Sequence, residues 1–277
     1  MRARPVACWL LAAVVAIAGC TVVDAGGDNG GAAGGTLATA AQARPRPLQQ
    51  GSAFAPASLR ALQADEFENP GMLWVARGAK LWQQAEGPDA RSCASCHGDA
   101  RSMRGAATRY PQVDRASGRL LNLDGRIMQC RSERQKAEPL AWESEPLLAL
   151  GAYVAFQSQG LPLRPSIDGV ARPFFERGRD RYQQRVGQMN LSCSQCHDSN
   201  WGRQLGPETI SQGHGTGYPV YRLEWQGAGS LQRRLRSCLS GVRAEMFPYG
   251  AQEHLELELY LAWRAEGLAL EAPGVRR

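Results

Sequence analysis

The chain contains the pentapeptides CASCH at Cys93–His97 and CSQCH at Cys193–His197. Both have the Cys-x-x-Cys-His spacing of a c-type haem attachment site. In such a site two thioether bonds join the cysteines to the porphyrin, and the histidine supplies one axial nitrogen to the iron. Two copies therefore predict two covalently bound haem c groups. The predicted attachment cysteines and histidine ligands are Cys93, Cys96, His97, Cys193, Cys196 and His197.

A zinc site is the main alternative explanation of the four motif thiols. Zinc needs four protein ligands in a structural site, so the two cysteine pairs would have to meet in space. Each pair is followed directly by a histidine, which haem attachment requires and a zinc ribbon does not. A disulfide within either pair would leave that histidine without a role. The pattern therefore favours haem.

The two motifs lie in a longer internal repeat. RGAKLWQQ at Arg77–Gln84 matches RGRDRYQQ at Arg177–Gln184, with Trp82 opposite Tyr182. The same register continues without a gap into the two haem motifs. The pattern predicts a short helix in each half whose aromatic residue lies on the buried face, near the haem.

The two halves also match near their ends, where YVAF at Tyr153–Phe156 corresponds to YLAW at Tyr260–Trp263. Both stretches follow apolar residues at helical spacing. The second also alternates like a strand, so its helix prediction depends on the match with the first. The expected fold is mainly α, with two tandem class I cytochrome c-like domains at residues 56–164 and 165–277, each with a covalent haem.

The N-terminus has the features of an exported protein. Two arginines precede an apolar run over residues 6–18, which predicts a signal peptide at residues 1–19. IAGC at Ile17–Cys20 resembles a bacterial lipobox, which would place a lipid on Cys20; a plain signal peptide ending near a cysteine is the alternative. Residues 20–55 predict a flexible linker, rich in Gly and Ala. We expect a periplasmic location, membrane-anchored if Cys20 is lipidated.

Two further cysteines occupy matching positions in the repeat. RIMQC at Arg126–Cys130 aligns with RLRSC at Arg234–Cys238. Both thiols fall between a haem motif and the helix predicted at the end of each half, where a distal iron ligand is usually supplied. The methionines do not occupy matching positions. Cys130 and Cys238 are therefore predicted as distal ligands, and a disulfide between them with methionine ligation is the alternative.

Arginines precede the second of these thiols. Arg233, Arg234 and Arg236 lie within five residues of Cys238. Such charges lower the pKa of a thiol and attract anions, and the guanidinium fork suits oxyanions. Arginines flank Cys130 as well, so charge alone does not distinguish the two thiols. A solvated basic helix face is the alternative explanation.

The formal net charge is +6 and the sequence pI is near 9.0. The charge is spread along the chain rather than concentrated in one run. A mildly basic surface of this kind suits anionic small molecules or acidic protein partners. The composition does not predict nucleic-acid binding.

With both motifs and both extra cysteines laid out, the chain resembles the SoxA family, the dihaem subunits of the SoxAX cytochromes of bacterial sulfur oxidation. The resemblance is strongest in GYPVYR at Gly217–Arg222 and in LQRRLRSC at Leu231–Cys238. It continues through Val242–Glu245 and Leu257–Leu261. It covers about residues 60–270, which is nearly all of the predicted folded part.

The resemblance implies an L-cysteine S-thiosulfotransferase. Such an enzyme oxidatively joins thiosulfate to a cysteine of the SoxYZ carrier, passes electrons through haem to a cytochrome c acceptor, and has a SoxX-type monohaem cytochrome c as partner. Cys238 resembles the cysteine that is both the family's active thiol and the distal ligand of its second haem. Arg234 resembles the family's substrate-binding arginine. Cys130 resembles the distal ligand of the first haem. The lipobox departs from the family, whose members are usually soluble periplasmic proteins.

Two other functions are compatible with the residues. A dihaem electron carrier would need both haems but no thiol chemistry, so the arginines near Cys238 favour an enzyme. A dihaem thiosulfate dehydrogenase would release tetrathionate instead of modifying a carrier protein. A requirement for the carrier therefore distinguishes the conjugating enzyme from the dehydrogenase.

Overall fold

Two pairs of crossed helices form the framework of the protein. The structure, a computed structural model, describes residues 47–277. The predicted signal peptide, Cys20 and residues 20–46 of the predicted linker lie outside the described residues. Within residues 47–277, no helix has the length and apolar character needed to cross a membrane.

Most of the regular structure is helical, as the sequence predicted. The α-helices are α1 (Ala57–Ala64), α2 (Met72–Gln83), α3 (Cys93–His97), α4 (Leu123–Cys130), α5 (Glu145–Phe156), α6 (Arg172–Gln183), α7 (Cys193–His197), α8 (Leu231–Gly241) and α9 (Gln252–Arg264). A π-helical turn at Arg131–Gln135 continues α4. The 3-10 turns are Gly51–Phe54, Ala100–Met103, Ala107–Arg109 and Gly169–Ala171.

Short strands connect the helices. They are β1 (Gln112–Val113), β2 (Leu120–Leu121), β3 (Gln204–Leu205), β4 (Glu208–Thr209), β5 (Val220–Arg222), β6 (Gly227–Gly229) and β7 (Gly274–Arg276). β1 pairs with β2 and β3 with β4, both antiparallel. β5 lies between an antiparallel β6 and a parallel β7. The parallel pairing brings the C-terminal segment back as an edge strand beside the central β5.

Each half is built on a close crossing of two helices at one glycine. α2 packs against α5, and α6 packs against α9. A Cβ atom on Gly78 would overlap the carbonyl oxygen of Ala149, and one on Gly178 would overlap that of Glu256. Backbone therefore meets backbone at both crossings. The helices predicted before each haem motif and at the end of each half are confirmed.

Trp82 and Tyr182 occupy equivalent buried positions on α2 and α6, with exposures of 3% and 0%. The indole of Trp82 donates a hydrogen bond to the carbonyl of Gly98 at 3.0 Å. The hydroxyl of Tyr182 donates to the carboxylate of Asp198 at 2.9 Å. Each aromatic side chain thus ties its helix to the residue that follows the Cys-x-x-Cys-His motif.

The repeat continues in a hairpin followed by a helix. In the β1–β2 hairpin Gln112 pairs with Leu121, and in the β5–β6 hairpin Val220 pairs with Gly229, which is the same register. The following helices, α4 and α8, both begin after a polar side chain that accepts a backbone amide hydrogen bond. The two additional cysteines lie on these two helices.

Residues 47–277 pack as one compact unit, although the sequence repeats within them. The side-chain amide of Asn122 donates to both carboxyl oxygens of Glu258, at 3.2 and 3.1 Å. The backbone amide of Leu163 donates to the carbonyl of Leu268 at 2.9 Å. The division at residues 164 and 165 therefore falls inside one packed unit and stays a prediction as a domain boundary.

The end of the predicted linker is packed on the rest of the chain. The amide of Gln49 donates to the side chain of Gln212 at 2.9 Å, and the hydroxyl of Ser52 donates to Glu271. For residues 47–55 the structure therefore differs from the flexible linker expected. The reason is that these polar contacts are long-range, and composition alone does not reveal them.

Three carboxyl groups lie close together where the two halves meet. Asp124 and Glu258 line a cavity there, and the charge of Glu143 acts on both. Burial, together with Glu143, raises the pKa of Asp124 to about 7. Burial raises the pKa of Glu258 to about 8, although hydrogen bonds from Gln232 and Asn122 oppose this shift. Glu258 is therefore mostly protonated at neutral pH.

Gly178→Ala should destabilise the protein because the new Cβ would overlap the carbonyl oxygen of Glu256. We expect the free energy of unfolding to fall by about 1–3 kcal/mol, measured by denaturant titration. Gly241→Ala on α8 is the matched control, since a Cβ there meets no atom within 4 Å. The control should be neutral or slightly stabilising. Equal effects of the two substitutions would contradict the close crossing.

The Glu258 carboxyl should make the protein less stable as the pH rises from about 4.5 to about 8. Its pKa is higher in the folded than in the unfolded chain, so its contribution is complete below the unfolded pKa and is lost as the pH passes the folded pKa. Urea unfolding at a series of pH values measures this. Glu258→Gln should flatten the profile in this range, whereas Glu245→Gln at an exposed position should not. Profiles of wild type and Glu258→Gln with the same slope would contradict the prediction.

Candidate functional site

The second Cys-x-x-Cys-His motif forms the single-turn helix α7. Ser192 caps this helix: its hydroxyl accepts from the amide of Gln195, and its own amide donates to the Gln195 side chain at 2.9 Å. Side chains three and four residues apart share one face of a helix. The cap therefore presents Cys193, Cys196 and His197 together, all half-buried.

The orientation of the His197 imidazole is fixed by a backbone carbonyl and by a glycine that packs against the ring. Its Nδ1 lies 2.7 Å from the carbonyl oxygen of Ser211, which can only accept, so Nδ1 carries the proton. Gly213, with φ +75°, backs the ring, and a Cβ there would lie 3.0 Å from the ring carbon Cγ. Nε2 is therefore the nitrogen left for a metal or another partner, an arrangement that orients histidine ligands in metal sites.

A buried polar network lies behind His197. The fully buried Arg264 donates from Nη2 to Asp198 at 2.6 Å and to the carbonyl of Gln212 at 3.3 Å. Its guanidinium lies 4.4 Å from the centre of the Tyr182 ring, while Nε and Nη1 have no partner among the described residues. Because Asp198 follows His197 directly, this network holds the end of α7 in place.

Cys238 lies beside His197, and its thiol is half-buried on α8. Burial raises the pKa of this thiol, but the imidazole of His197 and the charges of Arg234 and Arg222 outweigh burial, so the pKa of Cys238 lies below its ordinary value. The structure thus gives this thiol the electrostatic setting of a reactive cysteine.

Arg234 precedes Cys238 by one helical turn. Burial lowers the pKa of Arg234, but the thiol and the hydroxyl of Tyr218 raise it, so the guanidinium keeps its charge. Burial raises the pKa of Tyr218, which keeps its proton. The charge of Arg222, from β5, also acts on both Tyr218 and Cys238. The spacing of the sequence predicts a site role for Arg234 but not for Arg222.

Arg233 and Arg236, which the sequence grouped with Arg234, have other partners. The guanidinium of Arg233 lies 4.3 Å from the centre of the Trp225 ring. Arg236 donates to the carbonyl of Phe247 and stacks on a tyrosine ring at 4.6 Å. Of the three arginines, Arg234 therefore has the strongest effect on the thiol.

The first half brings Cys130 close to Cys93 and Cys96 of its own motif. Burial raises the pKa of Cys130, and the charges of Arg126 and Arg134 oppose this shift without reversing it. The two leftover thiols therefore have pKa values shifted in opposite directions. The local sequence did not reveal this difference, since arginines flank both thiols.

His97 in the first half has a more open position than His197. It is exposed on α3, and its ring centre lies 5.7 Å from that of Trp82. α3 begins after Ser92, whose hydroxyl accepts from the amide of Ser95 at 3.0 Å. The same local cap therefore presents the motif in both halves, with a weaker enclosure in the first.

The six cysteines of residues 47–277 are free thiols. Cys130 and Cys238 each lie with their own motif, so the alternative disulfide between them is contradicted. Within the same residues, no three His, Cys, Asp or Glu side chains gather to hold a metal ion, so the zinc alternative has no support. Each half instead combines two thiols and a histidine on one helical turn with a third thiol nearby. This donor set fits haem c, with two thioethers and two axial ligands.

Comparisons with known proteins agree with this geometry. The family model described as SoxA/TsdA, cytochrome c domain, matches residues 77–163. The L-cysteine S-thiosulfotransferase subunit SoxA of Pseudaminobacter salicylatoxidans is 40% identical over 81% of this chain and 79% of its own, and that of Paracoccus pantotrophus is 36% identical over 83% and 79%. A chain of the crystal structure of SoxXA from P. pantotrophus matches with a TM-score of 0.81 and 36% identity over 83% of this chain and 87% of its own. The chain therefore belongs to the SoxA family.

Proposed function

We propose that this chain is the SoxA-type subunit of an L-cysteine S-thiosulfotransferase. It joins thiosulfate oxidatively to a cysteine of a SoxYZ-type carrier protein, and a cytochrome c receives the electrons. Its partner subunit is a SoxX-type monohaem cytochrome c. The observation that carries the proposal is the thiol of Cys238, which lies beside His197 and Arg234 with a lowered pKa. The names of the relatives support the same activity.

Two haem c groups complete the proposal, one in each of two tandem cytochrome c-like domains. Cys93 and Cys96 would hold the first haem covalently, and His97 and Cys130 would bind its iron. In the second half Cys193 and Cys196 would hold the other haem, and His197 and Cys238 would bind its iron. When bound, haem c supplies a one-electron acceptor beside the reactive thiol.

The reaction is an oxidation that forms one sulfur–sulfur bond. Thiosulfate and a thiolate together carry three negative charges, and the S-thiosulfonate product carries one, so two electrons leave. Cys238 forms this bond to the terminal sulfur of thiosulfate. The carrier thiolate then attacks that same sulfur, and Cys238 leaves as a thiolate by ordinary exchange. Its lowered pKa helps both steps, since the thiolate is the nucleophile and also the leaving group.

Arg234 binds the substrate in this proposal. Thiosulfate is a dianion, and its approach to a thiolate is unfavourable without a nearby cation. Arg234 keeps its charge one helical turn from Cys238 and offers a fork of donors to the sulfonate oxygens. It therefore offsets the repulsion between substrate and thiolate.

The cellular location is also part of the proposal. Residues 1–19 direct export to the periplasm, where thiosulfate and the carrier meet the enzyme. A lipid on Cys20 would anchor the chain to a membrane, with the following linker as a tether. Mass measurement of the mature N-terminus distinguishes a lipidated Cys20 from a plain signal-peptide cleavage.

A dihaem thiosulfate dehydrogenase is the second candidate. The matching family model covers both SoxA and TsdA cytochrome domains, and the same thiol chemistry would then end in tetrathionate. A second thiosulfate, instead of a carrier thiolate, would attack the sulfur held by Cys238. The dependence on carrier protein decides between the two.

Cys238→Ala should lower thiosulfate-dependent reduction of an acceptor cytochrome at least 100-fold, because the sulfur-bonding thiol is lost. Arg234→Gln should raise KM for thiosulfate about tenfold or more, since a charged hydrogen bond is lost. The assay contains the partner subunit, with and without the carrier. Arg233→Gln is the matched control, because Arg233 lies on the same helix but stacks on Trp225. Full activity of Cys238→Ala, or tetrathionate formation without carrier, would contradict the proposal.

Gly213→Ala should perturb the second haem because its Cβ would press on the ring of His197. We expect a change in the electron paramagnetic resonance signal of one of two haems, with two haem c still bound per chain by mass. Gly202→Ala is the control: Gly202 also has positive φ, at +83°, but no atom lies within 4 Å of its Cβ position. An identical spectrum for both variants would show that His197 is not an iron ligand.

A further inference from the structure

The two halves of the chain carry opposite charges at one equivalent strand position. In the matching registers of the β1–β2 and β5–β6 hairpins, Asp114 directly follows β1 and Arg222 ends β5. Each lies eight residues before the N-cap of the next helix, Asn122 or Ser230. Each therefore occupies the same place relative to the helix that bears the leftover cysteine.

In the first half this position is an acid that forms a salt bridge with the arginine before the thiol. Arg126 precedes Cys130 by four residues, as Arg234 precedes Cys238. Its Nη2 donates to Asp114 Oδ1 at 2.8 Å. Ser117 donates to the other carboxyl oxygen of Asp114 at 2.6 Å. The fork of Arg126 is thus occupied, by Asp114 at Nη2 and by the side chain of Gln129 at Nη1.

In the second half the same position is occupied by a cation, the guanidinium of Arg222. Arg222 is buried, with only 6% of its side chain exposed, and its charge acts on both Tyr218 and Cys238. Arg234 forms no salt bridge within residues 47–277, in contrast to Arg126. By the shared register, Arg222 occupies the place from which Asp114 reaches Arg126, so guanidinium groups from β5 and from α8 both lie on the side of Cys238.

Arg222 has one anionic partner, at the edge of the site. Its Nε donates to Glu224 Oε1 at 2.9 Å, and its guanidinium lies 5.2 Å from the centre of the Trp225 ring. The Glu224 side chain is 51% exposed, so solvent screens its charge. An exposed carboxylate compensates a buried guanidinium only in part, which leaves Arg222 able to attract an anion.

We propose that Arg222 is a second thiosulfate-binding residue, which holds the dianion together with Arg234 at Cys238. The acid at the equivalent position, Asp114, withholds this capacity from Cys130. This inference rests on the proposed function for the identity of the anion. It goes beyond that function in naming the β5 residue that makes one of two similar thiols the substrate site.

The test uses the complete haem-loaded protein with its partner subunit and measures two quantities. One is KM for thiosulfate in the carrier-dependent assay, and the other is the Kd of thiosulfate without carrier, by calorimetry at low ionic strength. Arg222→Gln should raise both about tenfold or more, with kcat within about twofold. Arg222→Lys should restore part of the binding, because it keeps the charge but not the fork.

Two further variants test the inference without replacing the buried Arg222, whose substitution could disturb the fold. Glu224→Gln removes the exposed carboxylate that competes for Arg222, so it should lower KM and Kd about two- to threefold at low salt. Arg119→Gln, which removes an exposed cation of the first half, is the control and should leave both unchanged. Unchanged KM and Kd in Arg222→Gln, or a loss confined to kcat, would overturn the inference, as would a Glu224→Gln variant with no tighter binding.

The outcome also separates this inference from the proposed function. A wild-type protein that binds thiosulfate through Arg222 but does not conjugate it to the carrier would refute the function and support the binding role. A wild-type protein that conjugates thiosulfate with the same KM and Kd as Arg222→Gln would support the function and refute the binding role.

Discussion

The close contact between crossed helices at Gly78 and Gly178 is the constraint on which both halves depend. Because the backbones touch, the side chains one turn further along, Trp82 and Tyr182, are enclosed and directed to the residue after each Cys-x-x-Cys-His motif. Each motif is itself a single capped turn that packs against the core next to this aromatic side chain. A change at either glycine would therefore be transmitted to the candidate haem ligands.

In the second half, polar contacts also hold the histidine of the motif and the residue after it. His197 is held by a backbone carbonyl and backed by Gly213, and Arg264 secures the following residue from a fully buried position. The first half has no such enclosure around His97, which is exposed. The same backbone arrangement thus supports a well-enclosed histidine in the second half and a more open one in the first.

Motifs and the internal repeat predicted the elements that depend on local sequence. Cys-x-x-Cys-His turns, aromatic helices and matching positions of Cys130 and Cys238 follow from spacing, and the structure brings each thiol to its own motif. Such reasoning did not predict the long-range contacts. These are the packing of residues 47–55 on the rest of the chain, the burial of Glu258 near other acids, and the effect of the Arg222 charge on Cys238. Each depends on which segments meet in space, which a repeat of helical patterns does not encode.

The two leftover thiols occupy equivalent positions, yet the pKa of Cys130 is raised and that of Cys238 is lowered. Both are half-buried, both follow an arginine by one turn, and burial raises the pKa of each. In the first half burial prevails, although the charges of Arg126 and Arg134 oppose it. In the second half the imidazole of His197 and the charge of Arg234 contribute most and Arg222 adds to them, so these groups outweigh burial. The larger part of the difference between a buried thiol and a reactive one therefore comes from the histidine and Arg234, and the inverted charge at the strand position adds to it.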